Sequence, residues 1–374
     1  MNFLCRKNGS PIKNVLEMIC ENNYNGKEYT IRTSDGYILT MHRIKSQKKA
    51  PVVLLMHGLL CSSAIWVDNG PRYSLAYQLA DSGYDVFMGN VRGNVYSRKH
   101  VNLNPSAKQF WDFTFHEMGV HDLPAMLDFI KEKTNQERIS YVGHSQGCIM
   151  LLTLLSTYPE WNNRIDTHYA LAPVGSLTTP SNMIKTILKF FDSTRIALVR
   201  SMFGEEFLPH SGVSKFLQLF HAFIRPSNFI KTINLLSGPD NNCLIKEMCH
   251  NYLKNIPAGT SVKNMIHYNQ IVKRGNGIFH RYDHGVDDNN KFYNSDKPPK
   301  YDFEKVTVRT HIHYGGCDIV ANPKDIKILA STLNVDREPE LYKTWNHAHF
   351  IWSTDCHTSV YNDIISNINQ RFPR

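Results

Sequence analysis

The sequence predicts an α/β fold: a doubly wound, mostly parallel sheet with an inserted helical cap. Three observations predict it. Short apolar runs of strand length alternate with amphipathic runs of helical spacing over most of the chain, the rhythm lapses over residues 174–307, and residues 143–147 read Gly-His-Ser-Gln-Gly between a strand-like and a helix-like run.

Taken in order, Tyr29 and Ile31, then Tyr37, Leu39 and Met41, alternate about Asp35-Gly36 in residues 28–44, which predicts an antiparallel hairpin. The unbroken apolar run Val52–Met56 predicts a buried strand. A helix is predicted over about 71–82, with Leu75, Ala76, Leu79 and Ala80 on one face, followed by a strand over Tyr84–Met88. A further helix runs through Met126, Leu127 and Ile130, before a strand over Ile139–Val142 and an almost wholly apolar helix over Cys148–Leu155. Ile165–Leu171 is the next strand, Val308–Tyr314 resumes the series, and Glu340–Trp345 follows. Val360, Ile364, Ile365, Ile368 and Phe372 mark a closing amphipathic helix.

This pattern divides the chain into a core of residues 1–173 and 308–374 and a cap of residues 174–307, because a structureless loop of that length is implausible inside a compact domain. Within the cap, Ile184, Ile187, Leu188 and Phe191 form one stripe, with Lys185 and Lys189 off it, and Phe216, Leu217, Phe220, Phe223 and Ile224 form another.

Composition narrows the function classes. Of 374 residues, 42% are hydrophobic and 20% charged, which is globular. No apolar stretch reaches the roughly 18–20 residues that span a bilayer, so no transmembrane segment is expected. Arg6, Lys7, Asn8, Lys13, Asn14 and Glu17 interrupt the first twenty residues, so no signal-peptide core is expected there. The net charge of +9 comes from scattered lysines and arginines without a nucleic-acid-binding motif, which argues against nucleic acid as a partner. Exposed members of the eighteen histidines would charge near pH 5, which suits an acidic compartment. The eight cysteines are too dispersed for a disulfide scaffold. Cys243 and Cys249, with His250 beside them, match no common zinc spacing, which leaves a local disulfide or two free thiols. Asn8-Gly9-Ser10 is the one glycosylation sequon.

Chemistry concentrates at Ser145. Gly-x-Ser-x-Gly arises by chance in about one chain in ten of this length, given average glycine usage, so its context decides. Here a strand precedes it and a helix follows, which is the setting of the nucleophile elbow of an α/β-hydrolase. The glycines are needed because side chains two positions from the serine would collide where strand and helix nearly touch. Acyl transfer also needs a base, an acid that orients the base, and backbone donors for the oxyanion. Asp318 follows Gly315-Gly316-Cys317 at the carboxyl end of a strand, where catalytic groups of open α/β sheets gather. Both His347 and His349 follow the last strand, and spacing does not choose between them. His57-Gly58-Leu59-Leu60 ends the first buried strand, so the amides of Leu59 and of Gln146 are the oxyanion donors to name. The order Ser, Asp, His along the chain leaves His57 as a loop-shaping residue.

Together these segments resemble the acid lipase family of gastric and lysosomal lipases, including its insect members. The resemblance rests on Tyr37-Ile38-Leu39, His57-Gly58-Leu59-Leu60, Gly83-Tyr84-Asp85-Val86, Gly89-Asn90-Val91-Arg92-Gly93-Asn94, Tyr141–Gly147, Pro257-Ala258-Gly259-Thr260-Ser261, Gly315–Asp318 and Asn346-His347 with Phe350-Ile351-Trp352. It runs from about Tyr24 to Asn362. The resemblance implies Ser145 as nucleophile, Asp318 as orienting acid, His347 as base, and Leu59 and Gln146 as the oxyanion hole. His347 is chosen over His349 because the family's His-x-Asp-Phe-Ile-Trp pattern aligns there. The family's aspartate is His349 in this chain.

The expected activity is hydrolysis of carboxylic esters of neutral lipids, triacylglycerols or sterol esters, through an acyl-enzyme and without metal or organic cofactor. The expected partners are a lipid ester and, transiently, a lipid interface, in a secreted or lysosomal location. The alternatives are a carboxylesterase or acyltransferase for smaller esters, or a catalytically silent lipid-binding protein.

Overall fold

In the computed structural model, which describes residues 14–209, 226–239, 244–275 and 277–372, the predicted hairpin forms from β1 (Gly26–Arg32) and β2 (Tyr37–Ile44). They pair antiparallel, with Ile31 opposite Leu39. The apolar runs become β3 (Val52–Met56), β4 (Asp85–Gly89), β6 (Ile139–His144), β7 (Ile165–Leu171) and β10 (Arg309–Gly315), with short strands β5 (Lys99–His100) and β11 (Glu340–Tyr342) at the margins. Among the described residues the sheet has nine strands, in the order β1-β2-β4-β3-β6-β7-β10-β11, with β5 paired to β2. From β4 to β11 every pairing is parallel. Every residue of β3, β4, β6 and β7 is buried, as expected of parallel strands covered on both faces. The fold class is the α/β architecture that the alternating rhythm predicted.

Parallel register fixes where the strands end. Met56 lies opposite Gly143, His144 opposite Leu171, Leu171 opposite His313, and Gly315 opposite Tyr342. The turns that leave β3, β6, β10 and β11 therefore all open at one edge of the sheet. Those turns carry Leu59, Ser145, Asp318 and His347.

Three local expectations differ from the structure. The helix predicted over about 71–82 is two helices, Gly70–Tyr73 and Leu75–Asp81. Ser74 between them is extended, and its hydroxyl accepts the Asn69 amide. The strand predicted to reach Trp345 stops at Tyr342, because the chain turns there to let the Trp345 carbonyl accept the Cys317 amide. The stretch without strand rhythm does hold a ribbon, β8 (Glu206–Phe207) with β9 (Thr260–Ser261).

The remaining regular structure described between β7 and β10 is chiefly six helices, Asn182–Lys189, Ile196–Phe203, Pro226–Ser237, Cys249–Asn255, Val262–Arg274 and Val286–Tyr293. Of the first predicted stripe, Leu188 and Phe191 are buried and Ile184 packs against the core. The second stripe, Phe216 to Ile224, and the sequon at Asn8 lie outside the described residues. So does Cys243, while Cys249 is a free thiol bonded to the Ile245 carbonyl. No described helix is long and apolar enough to cross a membrane.

Candidate active site

Ser145 sits between β6 and the helix Gln146–Thr157 at φ 53°, ψ −116°. A non-glycine residue held there stores roughly 1–3 kcal/mol of backbone strain, which the surrounding structure must offset. The flanking glycines show how. A Cβ on Gly147 would lie 2.4 Å from the Met56 carbonyl oxygen, and one on Gly143 would lie 2.9 Å from the Cys148 amide nitrogen. Strand and helix thus touch where only glycine fits. The Ser145 amide donates to the Leu171 carbonyl at 3.0 Å, tying the turn to β7.

His347 and Asp318 meet across the sheet edge. His347 Nδ1 lies 2.8 Å from Asp318 Oδ2. A carboxylate only accepts, so Nδ1 carries the proton and Nε2 is left with its lone pair. Asp318 Oδ1 accepts the amides of Val320 at 2.7 Å and Ala321 at 2.8 Å, which fixes the carboxylate plane. His144 joins this pair to the Ser145 turn. Its Nε2–H donates to the His347 carbonyl at 3.1 Å, and the two rings stand 4.9 Å apart. Burial lowers the His144 pKa to about 3, so this imidazole stays neutral and remains a donor.

His349 is placed differently. It is buried, its Nδ1 lies 2.8 Å from Asn346 Oδ1 and 3.0 Å from the Asn346 amide nitrogen, and its ring stacks on Trp345 at 5.6 Å. The structure brings His347 to Asp318 and holds His349 inside its own turn.

His57 also has both nitrogens occupied. Nδ1–H donates to the Gly58 carbonyl at 2.8 Å, while Nε2 accepts from Val91 N at 3.3 Å and Asn94 Nδ2 at 3.1 Å. Burial lowers its pKa to about 4. It shapes the turn in which Leu59 lies. The Leu59 amide takes no backbone acceptor among the described residues, and the Gln146 amide opens its helix, where the first N–H groups have no intrahelical partner. Gly58 keeps the two turns close, since a Cβ there would lie 3.1 Å from Ser145 Cβ.

Sequence reasoning gave no role to the residues that hold these turns. The loop Gly89–Asn94 is pinned by Arg92, whose Nε donates to Asp122 at 2.8 Å and whose two terminal nitrogens reach Asp35 at 2.6 and 2.9 Å. From the insertion, the Ala258 amide donates to the Leu60 carbonyl at 2.7 Å. Asn264 Nδ2 and the Tyr268 hydroxyl donate to Gln146 Oε1 at 2.8 and 3.1 Å. Arg92 and Ala258 lie in segments quoted for the family resemblance, and Asp122, Asn264 and Tyr268 carried no signal at all. Among the described residues no group of three or more His, Cys, Asp or Glu side chains is set to hold a metal ion.

Comparison with known proteins places the chain in a family. A model described as the alpha/beta hydrolase fold matches residues 51–214, and one described as a partial alpha/beta-hydrolase lipase region matches residues 15–70. The chain is 39% identical to gastric triacylglycerol lipase of Homo sapiens, covering 97% of this chain and 93% of the relative. It is 38% identical to human lysosomal acid lipase/cholesteryl ester hydrolase over 94% of this chain and 90% of that one, and 36% identical to Lipase 1 of Drosophila melanogaster over 94% and 78%. A crystal structure from Sulfolobus solfataricus superposes with a TM-score of 0.61 at 16% identity, covering 92% of this chain and 94% of that chain, which supports the fold. With relatives this similar along nearly its whole length, the chain belongs to the acid lipase family of gastric and lysosomal lipases, on an α/β-hydrolase fold.

Proposed function

We propose that this protein is a lipase that hydrolyses carboxylic esters of neutral lipids, triacylglycerols or sterol esters, with Ser145, His347 and Asp318 as its triad. The observation that carries the reading is the 2.8 Å contact between His347 Nδ1 and Asp318, with the His347 backbone held to the residue before Ser145. Ser145 Oγ attacks the ester carbonyl as His347 Nε2 takes its proton. The oxyanion is held by the amides of Leu59 and Gln146. Collapse of the tetrahedral intermediate expels the alcohol, which takes the proton from His347 and leaves the acyl group on Ser145. Water repeats the cycle and releases the fatty acid. Asp318 stays ionised and stabilises the imidazolium in each half.

Residues 174–307 act as the cap in this reading. Phe190, Leu198 and Met202 are exposed on its helical stretch Asn182–Phe203, and these give it an apolar surface for transient contact with a lipid interface. Leu198→Asp with Met202→Asp is expected to lower the rate on emulsified triolein about tenfold while leaving a soluble short-chain ester within twofold. Equal losses on both substrates would remove the interface from the reading.

The compartment we infer is secreted or lysosomal, on the strength of the relatives; glycan on Asn8 of the natively expressed protein tests it. The activity is tested with triolein, a cholesteryl ester and a soluble short-chain ester across pH 4–8. Ser145→Ala is expected to abolish hydrolysis, and an active-site phosphonate to label Ser145. Labelling of a different serine would overturn the assignment.

A further inference from the structure

The His347 backbone is gripped from two sides. Its carbonyl accepts from His144, as described, and its amide donates to the Ser237 carbonyl at 3.2 Å. Ser237 is the last residue of the helix Pro226–Ser237, in the insertion and more than a hundred residues distant in sequence. The same carbonyl accepts the Ile319 amide at 3.4 Å, beside Asp318. One carbonyl at the end of one helix therefore touches both the acid loop and the base loop.

The next residue makes this approach feasible. Gly238 has φ 111°, and a Cβ there would lie 2.0 Å from the Cys317 carbonyl oxygen. Asn346, immediately before the base, completes the joint. Its Nδ2 donates to the Gly238 carbonyl at 2.8 Å, while its Oδ1 accepts the Ala348 amide at 3.0 Å and the His349 amide at 3.2 Å. The side chain is buried, so a lost partner would not be replaced by bulk water.

We infer that Asn346 is a positioning residue, which with the Ser237–Gly238 end of the cap helix sets the placement of His347 against Ser145. This rests on the triad reading above. Neither group touches substrate. Each acts by holding the turn on which the base is carried, where misplacement by about 1 Å can cost roughly a hundredfold in rate. The helix end thus does more than cover the site, because it completes the mounting of the base.

The test is Asn346→Asp, which keeps the Oδ1 acceptor and removes the donor to Gly238, alongside Gly238→Ala. Active sites are counted by phosphonate titration, so that rate is read per competent Ser145. The expected result for Asn346→Asp is a kcat per titrated site lowered about 10- to 100-fold with KM within twofold, and a displaced acid limb in the kcat/KM profile. Slower labelling by the phosphonate should accompany it. A merely structural role would lower melting temperature and titratable sites while leaving kcat per site and the pH profile unchanged, and that result overturns the inference. Should Gly238→Ala fail to fold, Asn346→Asp with Asn346→Ser carries the test, the serine keeping a shorter acceptor without the amide donor. If wild-type enzyme cleaves no ester, or Ser145→Ala keeps activity, it is the triad reading that has failed.

Discussion

At the scale of single residues, Asp68 shows how burial turns into pH dependence. It is 1% exposed, with the Trp352 and Asn255 side chains as the donors that face its carboxyl. Desolvation by burial pushes its pKa well above the usual carboxylate range. A raised carboxyl favours the folded state while it is protonated, and that contribution is lost as pH rises from about 4 through the folded value. Asp68→Asn is therefore expected to stabilise the fold at pH 7.5 by about 1–3 kcal/mol, and to change little at pH 4. Urea denaturation at the two pH values checks this, and an equal effect at both would contradict it. The two histidines of the last turn divide in a different way. His347→Ala is expected to cost roughly 10⁴-fold or more in kcat/KM. His349→Ala removes a buried ring stacked on Trp345 and should lower melting temperature while keeping kcat within about tenfold.

At the scale of elements, the turns around Ser145 depend on a buried charge cluster. Arg92 is 1% exposed, bonded to Asp122 and Asp35, with its guanidinium 4.0 Å from the Tyr37 ring centroid. Its loop in turn supplies Val91 and Asn94 to His57. Removing Arg92 leaves the Asp122 carboxyl buried without its counter-charge, while Asp35 lies at the surface, so Arg92→Ala is expected to cost about 3–5 kcal/mol, measured by denaturant unfolding, with His57 released as well. The elements themselves were readable because parallel strands bury both faces and leave an unbroken apolar signature, as Val52–Met56 does. Ser145 and its glycines were readable because steric exclusion at the strand-helix contact leaves no other residue type. The supports were not. Asn264, Tyr268 and Asn346 are ordinary polar residues in any linear pattern, and only the fold brings them within 3.1 Å of Gln146 or to the Gly238 carbonyl. The break at Ser74 was hidden for a related reason, since apolar spacing continues through it while one side-chain hydroxyl ends the helix.

At the scale of the whole molecule, the histidines set an acid limit. From the sequence, the exposed members of the eighteen histidines are the ones expected to charge near pH 5. Many of the eighteen are instead inside: burial lowers His57 and His116 to about 4, lowers His144, His168 and His267 to about 3, and lowers His313 as well. Each binds a proton more readily once unfolded, so stability falls as pH drops below about 6.5, by up to about 1.4 kcal/mol per pH unit for each ring. Melting temperature is expected to fall by about 5 °C or more between pH 6.5 and 4.5. A flat profile by calorimetry would show that the rings are compensated elsewhere.

The two attachments of the insertion also define how it can be exchanged. Ala258, Asn264 and Tyr268 brace the turns of Leu60 and Gln146, and Ser237 with Gly238 mounts the His347 loop. A chimera that replaces residues 174–307 wholesale with a relative's segment would exchange both mounts at once. One that transplants only residues 182–203 keeps them, together with the ribbon of β8 and β9. Such an exchange reads what these two helices contribute to substrate preference without rebuilding the catalytic machinery.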